Sequence, residues 1–163
     1  MTADRGFDPI YRHVAVGGTF DQLHAGHKLL LTTAMFYATK TLRVGVTQEE
    51  LLTKKSHGAY IEPFETRCAT VSRFLSFLRR DIDVDVTGIT EPSGGTDRIA
   101  EVEALVVSPE TASAVGTINV TRASHGLPPM QSVEISYVDV DNDKHISSTE
   151  LRRRLHERRQ GTN

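Results

Sequence analysis

Apolar positions recur along the chain with two periods, and these divide it into alternating elements. Val14, Ala15 and Val16 form a short β-rich run that ends at Gly17-Gly18. Over residues 26–39, Leu30, Leu31, Ala34 and Ala38 have helical spacing. Residues 42–47 read as a second strand. Residues 65–80 read as a helix with Cys68, Val71, Leu75 and Leu78 on one side. In 82–89, Val84 and Val86 alternate with Asp83 and Asp85, the period of a strand. Residues 104–108 make a short apolar strand, 109–124 a helix, 133–140 a strand and 148–159 a last helix. This alternation predicts an α/β fold: a doubly wound, mostly parallel sheet with helices on both faces. Such sheets bind ligands beyond the carboxyl ends of their strands.

Three stretches interrupt the pattern. Residues 54–63 are polar, 91–97 hold Pro92, Gly94 and Gly95, and 139–144 form an acidic turn. Each reads as a functional loop or as a plain connection. There is no internal repeat and no long linker, so the 163 residues are expected to form a single domain, 1–163. The formal net charge of -2 gives no general signal for nucleic acid or membrane binding, and neither is expected as a partner. Only the cluster Arg152, Arg153, Arg154, Arg158 and Arg159 departs from this balance. Cys68 is the one cysteine, which rules out an intrachain disulfide and fits a reducing compartment. No apolar run nears transmembrane length, and the polar first residues lack a secretory signal's apolar core, so a cytoplasmic location is expected.

The chemistry concentrates in Gly17-Gly18-Thr19-Phe20-Asp21-Gln22-Leu23-His24-Ala25-Gly26-His27, between the first strand and the first helix. Glycines there let backbone amides approach a ligand. A helix N-terminus presents unpaired N–H groups and partial positive charge to a phosphate. His24 and His27, at i and i+3, can point the same way and donate to phosphate oxygens. Zinc ligation is the competing reading, but no third or fourth ligand stands at a typical spacing. A second constellation, Ile146-Ser147-Ser148-Thr149-Glu150-Leu151-Arg152, opens the last helix. Ser147 with Glu150 is a capping box. The same helix start also offers amides, hydroxyls and Arg152 to a polyphosphate. At the first and last helix starts of an alternating chain, both constellations can face one cleft.

The first string resembles the signature G-G-T-F-D-x-L-H-x-G-H of nucleotidyltransferases, and most of all that of phosphopantetheine adenylyltransferases of the archaeal and eukaryotic type. The bacterial type usually has T-x-G-H. Residues 146–152 are similar to that family's I-S-S-T-x-x-R. Residues 105–111 are similar to its V-V-S-x-E-T, and Ile118-Asn119, Arg122 and Gly126-Leu127 to its I-N-x-x-R-x-x-x-G-L. Residues 47–55 are similar to its strand end and lysine-bearing loop. Cytidylyltransferases usually carry R-T-x-G-I-S-T where this chain has Asp143-Lys144-His145-Ile146-Ser147-Ser148-Thr149, without the Arg-Thr, and nicotinamide mononucleotide adenylyltransferases usually have proline at the place of Gln22. These relatives, and a nucleotide-binding subunit without catalysis, are the alternatives. Glu91 stands where the family has Asp in its D-P-x-G stretch. Arg98 would serve phosphates or lie on the surface.

The resemblance implies a Rossmann-like fold and adenylyl transfer from ATP to 4′-phosphopantetheine, giving dephospho-coenzyme A and pyrophosphate. It implies catalytic His27 on the α-phosphate, catalytic His24 on a neighbouring phosphate oxygen, Ser148, Thr149 and catalytic Arg152 on the leaving group, and Ser147 in the ATP site. Gly17, Gly18, Thr19 and Phe20 would line the ATP site. Thr19, Asp21 and one of Lys54 and Lys55 would hold the acceptor. Mg²⁺ is expected on ATP oxygens rather than in a side-chain cage; Asp21 would be an indirect ligand or a turn residue. Association with other enzymes of coenzyme A biosynthesis is a further expectation. No P-loop of the kind a fused kinase needs occurs, so a single-activity enzyme or a separated piece is expected.

Overall fold

A computed structural model describes residues 11–48 and 61–136. The elements run β1 (Tyr11–Gly18), α1 (Ala25–Tyr37), β2 (Ala38–Thr47), α2 (Phe64–Ser76), β3 (Asp83–Ile89), β4 (Ala104–Val107), α3 (Ala114–Ser124) and β5 (Gln131–Glu134). The strands form one sheet in the order β3-β2-β1-β4-β5, with every neighbouring pair parallel. The chain moves outward from β1 to β3, then returns to place β4 on the other side of β1. The order therefore reverses between β1 and β4, and a crevice opens at the carboxyl ends of such strands.

Side chains alternate between the two faces of the sheet. Val14 and Val16 of β1 join Leu42, Val44 and Val46 of β2 on one face. Leu31, Ala34 and Met35 of α1 and Val71 and Leu75 of α2 cover them. Ala15, one residue out of step, packs instead with Ile118 of α3, Val102 and Met130. Helices thus cover both faces, and the fold is Rossmann-like and doubly wound. Among the described residues, no helix is long and apolar enough to cross a membrane.

Several boundaries differ from those that periodicity predicts. Helix α1 ends at Tyr37, not at 39, and β2 starts at Ala38 without a connecting loop. Ladder pairing of Ala38 with Tyr11, and of Thr41 with His13, overrides the helical spacing of Ala38. Helix α2 stops at Ser76, not at 80, because Arg79 turns to donate to the Met35 and Ala38 carbonyls at the end of α1. Helix α3 starts at Ala114; before it, the Thr111 hydroxyl accepts from the Ser108 amide at 3.1 Å and holds a turn. Strand β5 begins two residues early, at Gln131, and the rest of the expected 133–140 strand beyond Ser136 lies outside the described residues. So does the expected 148–159 helix. Cys68 is half-buried against the α1/α2 core, and burial pushes its thiol pKa up.

Candidate active site

The turn from β1 into α1 contains two non-glycine residues in the left-handed region, Phe20 (φ 53°) and Gln22 (φ 51°). Such backbone is strained and persists only where its surroundings over-determine it. Phe20 is fully buried and meets the His27 ring edge-on, with centroids 5.4 Å apart. A Cβ on Gly18 would stand 3.3 Å from the Phe20 ring, so the bare glycine lets the ring fold beneath the turn. The Gln22 amide donates to Glu62 Oε1 at 2.8 Å, and the Glu62 amide donates to Asp21 Oδ1 at 2.9 Å. Asp21, fully buried, therefore ties the turn to a segment forty residues away.

His24 is the N-cap of α1. Its Nδ1 accepts from the Gly26 amide at 3.0 Å and, more weakly, from the His27 amide at 3.4 Å. His27 returns the contact, its Nδ1 accepting from the His24 amide at 3.4 Å. Two imidazoles thus form a reciprocal cap in which a hydroxyl and a carboxylate would normally act. The rings stack with centroids 3.8 Å apart and an 18° interplanar angle. A ring nitrogen that accepts an N–H carries no proton. The hydrogen-bond network therefore assigns the proton of each neutral ring to Nε2, making that atom a donor. The unpaired N–H groups expected at this helix start are thus partly taken up by the cap, on Gly26 and His27, and the first turn of α1 carries no acidic side chain.

On the α3 face of the sheet lies a cavity of about 370 Å³, whose lining includes Gly17 and Gly18 but neither His24 nor His27. Gly17, Gly18, Gly45 and Thr47 line it at the strand ends; Ile89 and the 92–96 loop form one wall, and Val107, Thr111 and Ile118 another. Arg43 also lines it, and its guanidinium donates to the Gly94 carbonyl at 3.0 Å, fixing that loop. Thr19, next to Gly18 in the chain, is buried, and its Oγ1 accepts from the hydroxyl of the cavity-lining Thr47 at 3.2 Å. Among the described residues, no three His, Cys, Asp or Glu side chains gather into a metal-holding group.

The structure thus gathers Gly17, Gly18, Thr19, Phe20, Asp21, His24 and His27 at one end of β1. Lys54, Lys55, Ser147, Ser148, Thr149 and Arg152 lie outside the described residues. Arg98, left open between phosphate contact and surface, is exposed and paired with Glu91 and Asp97. The Ile118-Asn119-Arg122 similarity is scaffold: Asn119 clasps the Met130 backbone through both amide atoms. The buried Arg122 donates to the carbonyls of Pro128, Thr96, Ile99 and Val102. Sequence reasoning missed Arg67, which is buried where the turn, β2 and α2 meet. The signal was there: Arg67, Val71 and Leu75 share one helical stripe, and a charge on an apolar stripe needs partners.

A parallel sheet with a histidine-capped helix start at its switch point defines a Rossmann-like domain with a site fit for a phosphate-bearing ligand. A family model described as Cytidylyltransferase-like matches residues 15–154. The phosphopantetheine adenylyltransferase of Saccharomyces cerevisiae is 38% identical over 145 residues, 86% of this chain and 48% of that protein. The phosphopantetheine adenylyltransferase of Methanopyrus kandleri is 36% identical over 142 residues, 87% of this chain and 89% of that protein. This chain thus spans about half the length of the yeast relative and most of the archaeal one. A crystal structure of an Archaeoglobus fulgidus protein of unknown function superposes with a TM-score of 0.69 at 30% identity, covering 81% of this chain and 95% of that one. The chain belongs to the cytidylyltransferase-like family and, within it, to the phosphopantetheine adenylyltransferases.

Proposed function

We propose that this chain transfers the adenylyl group of ATP to 4′-phosphopantetheine, a step of coenzyme A biosynthesis in the cytoplasm. A phosphate oxygen of the acceptor attacks the α-phosphorus in line. The bond from that phosphorus to the bridging oxygen breaks, and pyrophosphate leaves with the electron pair, giving dephospho-coenzyme A. A phosphate dianion is already a competent nucleophile near neutral pH, so the chain's part is positioning and charge stabilisation.

The observation that carries this reading is the paired imidazole cap, which holds both rings with Nδ1 on backbone amides and leaves Nε2 the donor. In the proposal, His27 donates to the α-phosphate as charge spreads there, and His24 to a neighbouring oxygen. Gly17 and Gly18 let the nucleotide lie against the strand end, and Phe20 props the turn from below. Thr19 and Lys54 or Lys55 hold the acceptor phosphate, with Asp21 keeping the turn in place. Ser147, Ser148, Thr149 and Arg152 take the leaving pyrophosphate. Mg²⁺, bound through ATP oxygens, would neutralise charge on the leaving group. ATP and 4′-phosphopantetheine are the proposed small-molecule partners; association with other coenzyme A enzymes is part of the same proposal.

Pyrophosphate release decides the matter. The chain is assayed with ATP or CTP against 4′-phosphopantetheine, nicotinamide mononucleotide, choline phosphate and glycerol 3-phosphate. Turnover confined to ATP with 4′-phosphopantetheine is expected. Faster turnover with CTP or with another acceptor, or none with any pair, would overturn the proposal.

A further inference from the structure

We propose that Arg67 is a positioning residue for the acceptor end of this site: its guanidinium ties the turn after β1 to the end of β2 and so aims the Thr19 hydroxyl. The inference rests on the reaction proposed above. Arg67 is 1% exposed. Its Nη1 donates to the Thr19 carbonyl at 2.9 Å and the Thr47 carbonyl at 2.8 Å, and its Nε donates to the Glu62 carbonyl at 2.9 Å. The Phe64 ring lies 5.8 Å from the guanidinium carbon. One planar cation therefore holds three carbonyls from three segments of chain. Its fork also fixes their relative orientation, which a point charge on a flexible stem does not.

Thr47 carries the effect onward, because its hydroxyl donates to Thr19 Oγ1 at 3.2 Å. A hydroxyl oxygen that accepts still has its own hydrogen to donate. Arg67 thus sets the spacing of the two backbones, the spacing sets the hydroxyl pair, and the pair directs the Thr19 proton. Burial pulls the pKa of Arg67 below the ordinary value, while the charge of buried Asp21 opposes that pull. The cation is thus kept next to the same turn whose Asp21 anchors Glu62.

Two variants separate positioning from plain scaffolding. Arg67→Lys keeps the charge and loses the fork. Thr47→Val removes only the hydroxyl and keeps the carbonyl that Arg67 holds. In both, KM for 4′-phosphopantetheine is expected to rise by ~10-fold or more while KM for ATP moves less than about threefold, since a small misplacement of a binding group is costly. Melting temperature should barely change in Thr47→Val. In Arg67→Lys, amide hydrogen exchange at residues 19–22 should speed up while α3 stays protected. Unchanged acceptor KM in both variants overturns the proposal. So does an equal rise in both KM values that follows loss of melting temperature. If the wild type turns over no acceptor, the reaction proposed above fails. Exchange at residues 19–22 then decides the role of Arg67: faster exchange in Arg67→Lys upholds the tie to the turn, and unchanged exchange overturns it.

Discussion

The two faces of the central strands are built from opposite materials. Toward α1 and α2, β1 and β2 present Val14, Val16, Leu42, Val44 and Val46, all at most 2% exposed. Toward α3 the same strands present Ala15, Gly17, Arg43, Gly45 and Thr47, and a cavity of about 370 Å³ stands above them. Large aliphatic side chains close one face into core. Missing side chains keep the other open at the strand ends, where the backbone can come close to a ligand. A single alternation along two strands therefore separates a packed face from an open one, and under the proposed reaction substitutions on the two faces should fail in different ways.

The largest effect should come from the closed face. Leu31, fully buried in α1, contributes only packing. Leu31→Ala should lose about 2–5 kcal/mol of stability in chemical denaturation, with kcat per folded molecule unchanged. A catalytic defect in the folded protein would show that the faces are coupled.

His27→Ala should give the opposite signature. Loss of a donor to the α-phosphate should lower kcat by ~10²–10³, about 3–4 kcal/mol in the barrier. The stability loss should be smaller, on the order of 1 kcal/mol, because His27 is a half-buried cap residue that contributes a weak contact to the His24 amide and ring contacts with His24 and Phe20. Measuring kcat, ATP affinity and melting temperature together tests this. Near-normal kcat, or loss of activity that only follows unfolding, would remove His27 from the catalytic groups.

A glycine pair sharpens the contrast within the open face. A Cβ on Gly17 would meet nothing closer than the Gly45 carbonyl oxygen at 3.7 Å, an ordinary contact. Gly17→Ala should fold like the wild type and yet raise substrate KM by occupying cavity space. A Cβ on Gly45 would stand 2.9 Å from Ile89 Cγ2. Gly45→Ala should therefore lose about 1–3 kcal/mol of stability by overpacking. If Gly17→Ala binds both substrates normally, this cavity is not where they sit.

The smallest effect should be at the far edge of the open face. Arg43 and Asp85 pair at 3.3 Å, with the Asp85 side chain 59% exposed. Asp85→Asn should change stability by less than ~1 kcal/mol. Kinetics should be unaffected, because Arg43 keeps its bond to Gly94. Altered kinetics in that variant would show that the ion pair helps to hold the cavity wall.

Much of this arrangement was legible in residue order. Helical spacing located α1, period two located β3, and the Gly17-to-His27 string placed the histidines at a helix start. Family membership, too, followed from residues that stand in sequence order. The tertiary arrangement supplied what no local period encodes. Ala38 fits a helix locally, but pairing with Tyr11 makes it a strand residue. Arg79 fits the end of α2 locally, but the carbonyls of Met35 in α1 and Ala38 in β2 draw it away. The histidines were legible as a pair, whereas their use of Nδ1 as mutual caps depends on the entry angle of the chain. That angle is set by Phe20, Gln22 and the distant Glu62.

By itself, the sequence determined which positions are large, small or charged, and with what period, because side-chain size and backbone alternation are local properties. Only the tertiary structure decided which small positions face one another. Gly17 lies beside Gly45, and Val16 beside Val106, through ladders between residues far apart in the chain. Those pairings are selected by burial of the whole α1/α2 face at once. Strand order, the open cavity and the reach of Arg67 across three segments therefore arise together, from a cooperative packing that no short stretch of chain contains.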